Sequence, residues 1–88
     1  VTTETKIAKE NLVRINNKEL PEMNQANISG MIIEHKQSCE RYLEFLKKEM
    51  ERWETIIELS EAYISTGELE EQITDMKQAI KLYENAGI

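Results

Sequence analysis

The chain has 88 residues, enough for one small domain and too few for two. It carries 17 Asp and Glu against 11 Lys and Arg, a net charge of −6, which argues against a duplex nucleic-acid binder, whose surface needs surplus cations for the phosphates. No apolar stretch approaches the ~18–20 residues that span a bilayer and no leader h-region is visible, so the sequence reads as a soluble cytoplasmic protein without a membrane partner.

Only Pro21, Gly30, Gly67 and Gly87 punctuate a chain otherwise rich in helix-forming Glu, Lys, Leu, Ile, Met and Gln. No β-branched run alternates with period two. The expectation is a single all-α domain over residues 1–88, with helices at about 3–18, 28–65 and 68–86.

The first helix takes Thr2 or Thr3 as its cap, with Glu4 where the helix dipole favours an anion. Ala8, Leu12 and Ile15 share its apolar face, a thin one flanked by Ile7 and Val13. A linker at roughly 19–27 follows, holding Pro21, Asn24 and Asn27. Pro21 also suits the first position of the next helix, which needs no N–H donor, but Gly30 favours a later start, near Asn27.

From Ile28 to Ile64 the only breaker is Gly30. Ile28, Ile32, His35, Cys39, Tyr42, Leu46, Trp53, Ile56 and Tyr63 follow a 3–4 spacing, interrupted by Glu49 and Ser60. Leu43, Met50, Ile57 and Ile64 widen the stripe, and Met31, Phe45 and Leu59 lie further round, so this helix contacts more than one neighbour. Gly67 is read as the left-handed residue that ends it. Glu68, Glu70 and Glu71 then open a last helix in which Leu69, Ile73, Met76, Ile80 and Tyr83 recur at 4-3-4-3, and Gly87 closes it. The short turn implies an antiparallel helical hairpin.

At 1.5 Å per residue the central helix measures roughly 54 Å and its partner about 28 Å. Its N-terminal half is therefore expected to project beyond the partner, only partly covered by the thin first helix. Ile28, Met31, Ile32, Ile33, His35 and Cys39 become the expected interface of a homo-oligomer, because wet apolar patches of that size mark contacts.

Candidates for chemistry are few. His35 and Cys39, four apart, read either as a Cys/His dyad or half a metal site, or as two residues of a buried helix face. No orienting acid and no third or fourth ligand lies nearby in the sequence, so no catalytic residue, metal or cofactor is expected. Glutamates at helical spacing, such as Glu40/Glu44 and Glu54/Glu58, read as a solvated face. Residues 1–18 hold four bases (Lys6, Lys9, Arg14, Lys18) against two acids, whereas the remainder holds seven against fifteen. The basic arm either meets a phosphate-bearing ligand or docks on the acidic hairpin of its own or a neighbouring subunit. Trp53 and Tyr63 read as core aromatics and Tyr83 as the freer ring.

Tyr63, Gly67, Leu69 and Ala79 resemble a single tetratricopeptide-type hairpin, with Gln72 in place of its usual small Ala. The last helix, Thr74-Asp75-Met76-Lys77-Gln78-Ala79 followed by Ala86, resembles the hairpin domain of small phage proteins that sequester the cyclic oligonucleotide messengers of CBASS-type bacterial immunity. That family's usual N-terminal tyrosine is missing here. The resemblance implies an oligomer in the host cytoplasm, a cyclic oligonucleotide held between subunits, no chemistry on it, and Thr74 as a phosphate or base contact. Lys6, Lys9 and Arg14 are the candidate cations beside it. The resulting expectation is a non-enzymatic oligomeric helical binding protein. It acts either on such a messenger or as a protein–protein assembly module through its central helix.

Overall fold

A computed structural model describes residues 3–16, 22–61 and 63–88, with residues 22–26 as backbone only. It contains three helices and, among the described residues, no strand: α1 (Thr3–Ile15), α2 (Glu22–Ser60) and α3 (Gly67–Asn85). None is long and apolar enough to cross a membrane. At 39 residues α2 should be about 58 Å long, which matches the longest extent, 57 Å, of a molecule only 18 by 17 Å across. The radius of gyration, 16.7 Å, exceeds the ~12 Å of a compact chain this size. The molecule is a rod.

Three boundaries differ from the sequence expectation. Pro21, placed either in the linker or at the start of α2, lies outside the described residues. The helix already runs from Glu22, so Gly30 is an interior residue, with open space where a Cβ would sit. The other end of α2 comes earlier than expected, at Ser60. There Glu61, not Gly67, adopts the left-handed conformation, with φ 55° and its N–H on the Ile57 carbonyl. Gly67 instead begins α3. That helix closes as the sequence suggests: Gly87 has φ 81°, its N–H meets the Glu84 carbonyl and the Ile88 N–H meets Tyr83, a paired C-terminal cap.

The core is a short column. Ile32, Cys39 and Leu46, seven apart on α2, pack with Met76, Ala79 and Tyr83 of α3 and Ala8 of α1. Leu12, Ile15, Ile28, Leu43, Leu69, Ile73 and Ile80 lean on it. Along α3, Leu69 shares a groove with Leu46, Met76 lies by Cys39, Tyr83 meets His35, and the Ile88 carbonyl accepts from Lys36 Nζ at 3.0 Å. Partners on α2 thus fall in number, from Leu46 to His35, as those on α3 rise from Leu69 to Tyr83.

This pairing reverses the expected overhang. Both shorter helices lie against the N-terminal half of α2, and its C-terminal half projects. α3 thus starts level with Leu46 rather than at the tip of α2. Tyr63 and Trp53, expected in the core, are exposed (95 % and 37 %), whereas Tyr83, read as free, is fully buried.

Candidate functional site

Two features stand apart from generic helix packing: a buried polar cluster between the three helices and an uncovered apolar face on α2.

The cluster begins at the N-terminus of α1. The first N–H groups of any helix lack internal partners, and here the Asp75 carboxylate, from the middle of α3, supplies them. Its two oxygens accept from the Glu4 N–H at 3.0 Å and the Thr5 N–H at 2.9 Å, and the Thr5 hydroxyl donates to it at 2.7 Å. Burial by itself would push this carboxyl up. The two backbone donors, with the Thr5 hydroxyl, outweigh it and hold Asp75 below the usual carboxylate value. Asp75 is therefore an N-cap delivered from another helix. Its neighbour Thr74, singled out from the sequence, is exposed and takes no part.

Capping fixes where the Glu4 side chain points. Its Oε2 lies 2.5 Å from Nε2 of His35. An ionised carboxylate only accepts, so Nε2 carries a hydrogen. The other ring nitrogen, Nδ1, is 2.6 Å from the Tyr83 hydroxyl, which also accepts from Asn11 Nδ2 at 3.1 Å. A chain of donors thus runs Asn11, Tyr83, His35, Glu4. The His35 and Tyr83 rings meet edge to face, 5.6 Å between centroids. Burial, followed by the nearby Cys39 and Glu4, raises the Tyr83 phenol, against the opposing pull of Asn11.

Cys39 completes the group. Its Sγ is 3.6 Å from His35 Nε2. Burial first, then the charges of Glu4, Asp75 and Glu40, push its thiol up to about 11. A nucleophilic cysteine needs the opposite shift. Glu4 Oε2, His35 Nε2 and Cys39 Sγ all lie within 4.8 Å of one another, a set of one oxygen, one nitrogen and one sulfur donor.

The second feature follows from the projection of α2. Tyr42, Phe45, Trp53, Ile56 and Leu59 are all exposed, Leu59 at 81 %. At 100° per residue Tyr42, Phe45 and Ile56 lie to one side of the buried stripe, Trp53 continues it seven residues beyond Leu46 and Leu59 turns almost opposite it, while Met31 extends the row towards the N-terminus over about 42 Å. Tyr42 and Phe45 stack at 5.8 Å. They wall a groove of about 340 Å³ whose other side is Ile64–Thr66, Leu69 and Gln72. The rims differ in sign. Arg41, Lys48 and Arg52 follow the outer edge of the row, Arg52 already paired with Glu49 of the same helix at 3.2 Å, and Glu68 and Glu71 stand on the α3 side.

The expected interface residues divide. Ile32 and Cys39 belong to the chain's own core, and Ile28 and His35 are half covered by α1 and α3. Met31 and Ile33 stay half exposed, but on different sides of α2. Of the expected ligand contacts, Lys9 and Arg14 line one open groove of about 330 Å³ with Glu10 and Val13, and neither Lys6 nor Thr74 joins them.

Sequence reasoning missed Thr5, Asn11 and Asp75, the buried polar residues. Thr5, Ala8 and Asn11 do fall at three-residue steps, but small polar side chains on a helix carry no mark that distinguishes burial from exposure. Comparison with known proteins finds no matching family model, curated protein or solved structure. Geometry alone bears on function.

Proposed function

We propose that the chain is a non-enzymatic helical module that binds a second copy of itself through the uncovered face of α2. The observation that carries this reading is the exposed row Tyr42, Phe45, Trp53, Ile56 and Leu59, in which Tyr42 and Phe45 edge a groove against the start of α3 and Ile56 and Leu59 lie on the part of α2 that projects past it. Each such side chain contributes roughly 1.5–3 kcal/mol when fully buried, and a soluble chain seldom leaves so long a row open. The rims favour a like partner. A copy laid alongside, pointing the same way, sets the basic edge of each α2 against the acidic start of the other's α3.

Cross-linking tests both face and direction. Ile56→Cys should join two chains readily with a short bismaleimide, whereas Glu58→Cys, on the other side of α2, should not. Cys39 is buried and does not compete. Equal cross-linking at the two positions, or none at Ile56→Cys, would reject the arrangement.

The messenger-sequestering reading has one observation in its favour, the shared groove of Lys9 and Arg14. A ligand specific for the folded state must raise the melting temperature. Cyclic di- and trinucleotides should do so for the wild-type chain and not for Lys9→Glu/Arg14→Glu. No shift at high ligand would remove this reading.

A further inference from the structure

We propose that Glu4, His35 and Cys39 form a three-donor site for a zinc-class divalent cation, which pins α1 to α2. The sequence argues against a metal because no third ligand lies near His35 and Cys39. Folding supplies it from 31 residues away, through the capped N-terminus of α1.

Donor chemistry selects the ion. Thiolate with imidazole suits zinc and its surrogates, and a carboxylate completes a mixed set that hard cations such as magnesium do not prefer. Three protein donors leave one position of a tetrahedron for water, and a cavity of about 70 Å³ adjoins the set, lined by Glu4, Ser38, Cys39, Tyr42 and Met76. Donors around tetrahedral zinc stand roughly 3.3–3.7 Å apart. The Sγ to Nε2 distance, 3.6 Å, already meets this. Oε2, at 2.5 Å from Nε2, must back away by about 1 Å, an adjustment open to the part-exposed Glu4 side chain.

The surroundings resemble those that hold metal-binding histidines. Such a ring is usually fixed through its other nitrogen, and here Nδ1 faces the Tyr83 hydroxyl, itself held by Asn11. On binding, the His35 hydrogen moves from Nε2 to Nδ1, where the Tyr83 oxygen accepts it; the Tyr83 hydroxyl, no longer donating to Nδ1, turns its hydrogen to Asn11, whose amide flips to present Oδ1, and the Cys39 thiol gives its proton to solvent. The ion then bonds to Oε2, Nε2 and Sγ. Small domains often gain a metal staple because their cores are thin, and the column of buried side chains here is short.

Cobalt(II) is the probe, added to the full chain under a non-thiol reductant. Binding of one ion per chain should bring a near-ultraviolet thiolate-to-cobalt band and the visible spectrum of a tetrahedral site. Cys39→Ser should abolish the band. Glu4→Gln changes a part-exposed side chain and leaves the core intact, and should weaken binding by about tenfold or more, since even outer partners of a metal ligand are worth that much. Zinc should raise the melting temperature of the wild-type chain, raise that of Glu4→Gln less, and leave that of Cys39→Ser unchanged. Absence of the thiolate band at equimolar cobalt, or an affinity unchanged by Glu4→Gln, would overturn the proposal.

Discussion

Asp75 is the residue on which the position of α1 depends. Its carboxylate takes three donors from Glu4 and Thr5, so Asp75→Ala should cost about 1.5–3 kcal/mol, the range for hydrogen bonds to a charged group. The pH dependence has a definite sign. The folded value is depressed, so the stabilisation is complete above the unfolded carboxylate value and fades as pH falls through the folded one. Chemical denaturation between about pH 5 and pH 2 should show the wild-type chain losing stability more steeply than Asp75→Asn. Gly30 offers the opposite case. It is helical, with nothing within 4 Å of an added Cβ, so Gly30→Ala should stabilise by about 0.5–1 kcal/mol in the same measurement. Glu61 holds φ 55°, a conformation that costs a residue with a Cβ about 1 kcal/mol or more, and Glu61→Gly should recover part of that.

At the scale of elements, hydrophobic period made the three helices legible. Ala8, Leu12 and Ile15 do face inward, as do Ile32, Cys39 and Leu46. The pairing of elements was less legible. Periodicity says which side of a helix is apolar but not how far along its neighbour it slides, and α3 starts level with Leu46 rather than at the tip of α2. The breadth of the α2 stripe was a true sign of two faces, yet only the structure separates the covered one from the open one. For the polar cluster, His35 and Cys39 were visible as a pair at i,i+4. Glu4, Asp75 and Tyr83 were not, because tertiary neighbours 31 to 71 residues apart leave no local pattern. An exchange experiment follows from this division. In an Ile56→Glu variant the amides of residues 50–60 should exchange much faster than those of 32–46, whose helix is held by α1 and α3.

For the whole molecule, length is the governing fact. A 39-residue helix with partners of 13 and 19 residues cannot be wrapped by its own chain, and what remains open is apolar with edges of opposite charge. A second copy satisfies both properties at once, which is the basis of the assembly proposed here. The most direct test is sedimentation equilibrium of the wild-type chain beside Phe45→Glu/Ile56→Glu, with circular dichroism to confirm that both are helical. The wild-type chain should sediment at a multiple of its own mass and the variant at the single-chain mass. A wild-type chain that stays at the single-chain mass across the accessible concentrations, or a variant that assembles as well as it does, would contradict self-association through α2.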